Sequence, residues 1–286
     1  MTEFRAAVVQ MRSGTDIDRN ISDAEKLIRA AAADGAQYVQ TPEMTNIVEL
    51  KSAGLFDAIE AEQGNDGLAR LCALAQELKI WLHVGSMSIR LETARAANRA
   101  YLIAPTGTIV TRYDKIHMFD VDLEGGESYR ESKVYRPGDQ AVVADLPWGR
   151  LGLSICYDVR FPHLYRTLAQ AGAQILAIPA AFTRKTGQAH WHILQRARAI
   201  ETGCFVVAAA QGGDHEDGRS TFGHSLIIDP WGEVLAELAH DEPGYAVATI
   251  DTARVAETRQ RVPSLQNGRP FEVSPDASEH TLKAVS

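Results

Sequence analysis

Apolar and polar positions change period repeatedly along the chain. The opening "FRAAVVQM" is an apolar run of strand length. "DIDRNISDAEKLIRAAAADG" then sets Ile17, Ile21, Ala24, Leu27, Ile28 and Ala31 at helical spacing before Gly35 closes it. "AQYVQTPEM" reads as a second strand, and it must end at Pro42, which has no N–H for a ladder and pushes its predecessor toward extended geometry. "GLARLCALAQELKI" carries Leu68, Leu71, Cys72, Ala75 and Leu78 on one helical face, and "WLHVGSMSIR" returns as a strand. "ANRAYLIAP" and "TIVTRYDK", joined through "TG", read as a β-hairpin.

The segment 116–140 lacks periodicity, is rich in acids and glycines, and predicts a long loop of the kind that usually carries function. After it, "AVVADLPWGRLGLSI" predicts strand, turn and strand, and "PHLYRTLAQAG" a helix opened by proline and closed by glycine. "AQILAIPAAF" is a strand, "GQAHWHILQRARAIETG" a long helix and "CFVVAAAQ" another strand. "GHSLIIDPWGEVLAEL" makes a second hairpin around "PWG", followed by a last strand "YAVATI" and a last helix "DTARVAETRQRV". Strands alternating with helices, with two hairpins inserted, predict an α/β domain whose mixed sheets are covered by helices. One domain over 1–271 and a polar tail over 272–286 account for the whole chain, with no linker and no fixed-period repeat.

Composition narrows the function classes. A length of 286 residues and a hydrophobic fraction of 45% suffice for a sizeable core, while a formal charge of −8 disfavours nucleic acid as a partner. No apolar stretch reaches membrane-spanning length, and the N-terminus lacks the pattern of a secretory signal, so a cytoplasmic protein is expected. Cys72, Cys156 and Cys204 are scattered and odd in number, which speaks against a disulfide framework or a zinc site. Cys72 and Cys204 sit in apolar runs and read as core. "EGGES" and "QGGDH" match neither a P-loop nor a dinucleotide fingerprint, so neither metal nor cofactor is implied.

Three ionisable residues fall at predicted strand ends, where α/β sheets gather their ligands: Glu43 after "YVQTP", Lys115 after "VTRYD" and Cys156 after "LGLSI". Taken singly, such a Glu or Lys is usually hydrated surface, and such a Cys usually core. Together they make chemical sense. A thiol needs a base or a cation to become a strong nucleophile, a carboxylate can take and return its proton, and an ammonium offsets developing negative charge. His117, two residues beyond Lys115, offers a Cys–His alternative to Glu43 as the base.

"TPEM" around Glu43, "YDKIHMFD" around Lys115 and "ICYDVRFPHLYR" around Cys156 resemble, in order and over nearly the whole chain, the three signature blocks of the nitrilase superfamily of carbon–nitrogen hydrolases. The resemblance implies an α-β-β-α sandwich with two mixed sheets flanked by helices, the four layers completed when two subunits join, and a homodimer or larger homo-oligomer. It implies Glu43 as general base and acid, Lys115 as electrostatic stabiliser and Cys156 as nucleophile. A further loop acid, matched at Glu131 with Glu127 as its rival, would orient Lys115, and the N–H of Tyr157 would complete an oxyanion hole. One departure is the "QT" of "QTPE", where many relatives carry an apolar residue.

"GQAHWHILQRARAIETGCFVVAAAQGGDH" and "STFGHSLIIDPWGEV" resemble the Nit-type amidases, the deaminated glutathione amidases first and the ω-amidases second. That resemblance implies a small amide of a 2-oxo acid as substrate. N-carbamoyl hydrolysis, nitrile hydrolysis and a non-catalytic binding role are the rivals. An anionic substrate needs local positive charge, for which Arg160, Arg184 and Lys185 are candidates, with Phe182, Thr183 and His190 beside them. The alternative for Arg160 is an ion pair with Asp158, for Arg184 and Lys185 a hydrated loop, and for His190 and Trp191 simple packing.

Overall fold

The structure, a computed structural model, describes residues 2–122 and 128–273. The chain begins with β1 (Glu3–Gln10), α1 (Ile17–Ala33), β2 (Tyr38–Gln40), α2 (Ser52–Ala58), α3 (Asp66–Leu78), β3 (Trp81–Glu92), β4 (Arg95–Ile103) and β5 (Ile109–Asp114). A short hairpin, β6 (Asp120–Asp122) and β7 (Ser128–Arg130), follows. The next elements are β8 (Val143–Leu146), β9 (Gly149–Leu153), α4 (Pro162–Gln170), β10 (Ile175–Ala177), α5 (Arg184–Thr202) and β11 (Phe205–Ala208). A second short hairpin, β12 (Gly212–Asp214) and β13 (Ser220–Phe222), precedes β14 (Leu226–Ile228), β15 (Val234–Glu237), β16 (Gly244–Asp251) and α6 (Ala253–Arg261).

Two six-stranded sheets result, ordered β16-β1-β2-β3-β4-β5 and β15-β14-β11-β10-β9-β8. Both are mixed. β1, β2 and β3 run parallel, as do β9, β10 and β11, and every other pairing in the two sheets is antiparallel. The period-two geometry of β1 shows how the layers stack. Phe4, Ala6 and Val8 point into the space between the sheets, where they join Leu151, Ile175 and Phe205. Ala7 and Val9 point the other way, onto Ile21 and Ile28 of α1 and Leu71 of α3. Each fully buried aliphatic side chain of this kind contributes about 1.5–3 kcal/mol. α4 and α5 cover the outer face of the second sheet, with Leu164, Leu168 and Trp191 in its core.

The four layers are therefore complete within one chain, and no second subunit is needed to form them. The reason is that both faces of both sheets are apolar, so each sheet buries one face on its sister and the other on helices. Three further departures from the sequence pattern are local. The loop 116–140 contains the β6–β7 hairpin and a turn of 3₁₀ helix at Glu131–Lys133. α2 and the β12–β13 hairpin are too short for a periodic signal. α5 begins three residues early, at Arg184, because Thr183 caps it by accepting from the N–H of Thr186. The predicted tail lies almost wholly at 274–286 and Glu127 at 123–127, both outside the described residues. Among the described residues no helix is long and apolar enough to cross a membrane.

Candidate active site

Glu43 is placed by a turn that never leaves β3. β2 stops at Gln40, yet the N–H of Thr41 still donates to the carbonyl of His83 (3.0 Å), that of Ser86 to Pro42 (3.2 Å), and that of Thr45 to Ser86 (2.8 Å). Gly85 makes this close approach possible, since a Cβ there would stand 2.1 Å from the carbonyl oxygen of Thr41. The polar "QT" is fully buried and satisfied. Gln40 accepts from the N–H of Ala209 (2.8 Å), which ties the two sheets together, and Thr41 shares a hydroxyl hydrogen bond with Thr45 (2.7 Å).

Lys115 follows β5 directly, its N–H donating to the carbonyl of Asn98 on β4 (3.0 Å). Glu131 opens the 3₁₀ turn after β7, and its carboxylate accepts from the N–H of Phe119 (2.7 Å). The Lys115 ammonium lies between the two acids, 2.8 Å from Glu43 and 2.9 Å from Glu131, with only 2% of its side chain exposed. Asn98 bridges the same acids, its Nδ2 donating to Glu43 (2.9 Å) and Glu131 (3.1 Å). Sequence reading missed Asn98; the available signal was a polar residue inside the alternating apolar strand "ANRAYLIAP".

Cys156 comes from the other sheet. β9 ends at Leu153, and the chain turns through a 3₁₀ segment, Cys156–Arg160, into α4, with Cys156 in the left-handed region at φ 49°. A non-glycine residue there is strained and persists only where its surroundings fix it. Its N–H donates to the carbonyl of Pro179 (2.8 Å). Buried Asp158 ties the turn back on itself, accepting from the N–H of Ile155 (2.8 Å), the hydroxyl of Tyr113 (2.7 Å) and the N–H of His117 (3.1 Å). His117 also places Nδ1 2.7 Å from Asp158 and stacks on Phe161. It therefore supports the turn and does not line the cleft.

The thiol of Cys156 lies within hydrogen-bonding reach of the Glu43 carboxylate, whose Oε2, the oxygen not bound by Lys115 and Asn98, accepts from the N–H of Ala181 (2.8 Å), just beyond β10. Electrostatics settle the resting protonation. Burial would raise the Glu43 carboxyl, but Lys115, helped by hydrogen bonds from Lys115, Cys156 and Asn98, holds it below the ordinary carboxylate value. Burial would lower Lys115, but Glu131 and Glu43 hold it well above its ordinary value. Burial and then the negative charge of Glu43 push the Cys156 thiol well up, against the opposing pull of Lys115. The site rests as thiol, carboxylate and ammonium. A thiol so placed can become a nucleophile by passing its proton to the adjacent carboxylate, without a standing thiolate.

These groups open onto a cleft of about 460 Å³, walled by Met44, Leu55, Phe119, Val134, Tyr135 and Phe182. Tyr157, Arg160, Phe182 and Thr183 line it. Arg160 lies over the rings of Tyr157 (5.9 Å) and Phe182 (5.2 Å), and among the described residues it has no ion pair with Asp158, whose lone pairs Tyr113, Ile155 and His117 occupy. Arg184 and His190 do not line the cleft. Arg184, in the first turn of α5, is paired with Asp214 (3.0 Å) and Asp241 (3.1 Å). His190 is exposed one turn later and meets Arg160 through Nδ1 (3.3 Å). Trp191 packs inward against Phe182 and donates to the carbonyl of His224 (2.8 Å). Cys204 is buried with its thiol raised by burial, and Cys72 is half-buried against the core of the first sheet.

A thiol, a carboxylate and a buried ammonium meeting beyond the strand ends of an α-β-β-α sandwich define a thiol-dependent hydrolase. The carbon-nitrogen hydrolase family model matches residues 5–260, and the chain belongs to that family. It is similar to the deaminated glutathione amidase of Synechocystis sp., 41% identical over 93% of this chain and 98% of that one. It is also similar to the omega-amidase NIT2 of Homo sapiens, 36% identical over 94% and 96%. The C. elegans NitFhit protein superposes with a TM-score of 0.88 at 36% identity, covering 94% of this chain and 66% of that longer one. The protein is thus a hydrolase that acts on amides.

Proposed function

We propose that Cys156, Glu43 and Lys115 carry out amide hydrolysis through a thioester, with deaminated glutathione as the substrate. The meeting of the Cys156 thiol and the Glu43 carboxylate beside a buried ammonium carries the mechanism. The similarity to deaminated glutathione amidases supports the substrate. Cys156 attacks the amide carbonyl as its proton passes to Glu43, and Lys115 with the N–H of Tyr157 stabilises the oxyanion. As the C–N bond breaks, Glu43 returns that proton to the departing amine. Glu43 next deprotonates a water molecule, which attacks the thioester; the C–S bond breaks and the proton returns to the sulfur. Glu131 and Asn98 hold Lys115 and Glu43 in register throughout.

Arg160, over the rings of Tyr157 and Phe182, supplies positive charge for the 2-oxo acid carboxylate within a chain of net charge −8. Phe182 and Thr183 shape the wall beside it. The omega-amidase reading is second, resting on the lower identity to NIT2. A cytoplasmic homo-oligomer fits the family resemblance, and exposed Ile193, Ile200 and Trp231 offer apolar surface for self-association. The test is intact-mass analysis after brief exposure to deaminated glutathione, α-ketoglutaramate, a carbamoyl amino acid and a nitrile. An acyl adduct on Cys156 is expected with the first compound, at the highest turnover of the four; a faster reaction with any other would replace the substrate.

A further inference from the structure

The catalytic cleft does not end at its own walls. It shares Leu50, Ser128, Tyr129, Thr183 and Arg219 with a second cavity of about 510 Å³, whose remaining lining includes Arg184, Gln188 and Ser220. Arg219 stands at the junction. Its Nε donates to Asp217 (2.7 Å), and the N–H of Arg219 donates to the same carboxylate (3.0 Å), which is itself buried, so the guanidinium is held in place by a fixed anion. Its Nη2, however, is buried without a hydrogen-bond partner among the described residues. A buried charged donor left unmet is costly, and a preorganised guanidinium with one unmet donor can meet a carboxylate through a charge-assisted hydrogen bond.

Of the other cations that line these cavities, Lys133 and Lys185 are exposed, and the rest are differently engaged. Lys115 is held between Glu43 and Glu131, Arg130 is paired with Asp122, and Arg184 with Asp214 and Asp241. Arg160 belongs to the turn that carries Cys156, and the substrate reading above gives it to the part of the ligand that stays on the sulfur. A simple ω-amide has one carboxylate and loses ammonia. A substrate whose leaving amine is itself a carboxylate-bearing peptide needs a second anchor on the far side of the scissile bond.

We propose that Arg219 is that anchor: it binds the carboxylate of the departing amine and so selects peptide-like leaving groups over ammonia. This rests on the substrate reading above and deepens it. Arg219 is then a specificity residue, and it takes no part in proton transfer.

The test compares deaminated glutathione with its analogue in which the glycine carboxylate is a neutral carboxamide. The wild-type enzyme should favour the acid by about 30- to 100-fold in kcat/KM, mostly through KM, the cost of losing one partner of a buried charged hydrogen bond. In Arg219→Met the preference should collapse to about threefold or less. If that variant does not fold, Arg219→Gln carries the same expected loss. A wild-type enzyme indifferent to the carboxamide, or a folded variant that keeps the preference, overturns the anchor alone. Turnover of α-ketoglutaramate with neither compound of the pair hydrolysed overturns the substrate reading, and the anchor with it.

Discussion

The two sheets of this protein are built to one pattern and loaded with different chemistry. In each, three parallel strands are flanked by one antiparallel strand on one side and two on the other: β1-β2-β3 with β16 and β4-β5, and β9-β10-β11 with β8 and β14-β15. The chain shows no matching repeat in its residues, so the likeness lies in topology alone. The first sheet delivers acid and base groups, Glu43 and Lys115, with Asn98 between them. The second delivers the sulfur, on a strained turn, together with the N–H of Ala181 that steadies Glu43. Neither half is reactive alone: one has a base with nothing to activate, the other a buried thiol with no acceptor. The meeting of thiol, carboxylate and ammonium is a property of the seam between them.

The comparison breaks most completely if the sulfur is removed. Cys156→Ala should lower turnover by about 10⁵-fold or more and abolish the acyl adduct, since the remaining groups offer no nucleophile. Thermal unfolding should move by only a few degrees. Activity near the wild-type level in this variant would sink the nucleophile assignment.

Removing the cation from the first sheet should cost both chemistry and stability. Lys115→Met leaves Glu43 and Glu131 facing each other without their shared counter-charge. We expect about 10³-fold lower kcat and about 3–5 kcal/mol less stability in denaturant titrations. An unchanged midpoint would show that water or a proton compensates the two acids at no cost.

Glu43→Gln tests the seam itself. Turnover should fall about 10²- to 10⁴-fold, the usual contribution of a positioned base. At the same time the thiol should ionise at lower pH than in the wild type, because the negative charge that raises it is gone while Lys115 remains. Thiolate absorbance against pH reads this directly, and an upward shift would contradict the electrostatic picture.

Asp158→Asn acts within the second sheet. It exchanges an anion that accepts from Ile155, Tyr113 and His117 for an amide with fewer acceptor sites, and should cost about 1–3 kcal/mol. The strained turn should loosen with it, so kcat should fall while KM moves little.

The smallest effect is in the pH dependence of stability. Glu43 is depressed in the folded state, so its contribution is complete above the ordinary value of 4.5 and is lost as pH falls below that. The Lys115 contribution is complete below 10.5 and is lost as pH rises through its raised folded value. The raised Cys156 thiol works against the fold above 9.0, where only the unfolded chain gives up its proton freely. Stability from these groups should therefore hold level between about pH 4.5 and 9 and decline outside, and Cys156→Ala should remove the part of the decline that begins near 9.

Periodicity made the long elements legible. The helical faces of α1 and α3 and the apolar strands of both sheets need no tertiary information to be drawn. α2 and the hairpins β6–β7 and β12–β13 were invisible because three to seven residues carry no period. Glu43, Lys115, Cys156 and Glu131 were legible through the order of their motifs, and the structure brings all four together. Asn98, Asp158 and Arg219 acquire their meaning only from what folds against them.

The sequence by itself determined where strands stop, which face of each helix is apolar and which residues have the chemistry of a nucleophile, a base and a cation, because these follow from local sterics and side-chain type. Tertiary structure decided which of those groups meet, since Glu43 and Cys156 lie on different sheets and come within hydrogen-bonding reach only when the two apolar faces close on each other. It also decided which cations are available. Arg184 is neutralised by Asp214 and Asp241, distant in the chain, while Arg219, which lines the cleft, keeps a buried donor without a partner among the described residues.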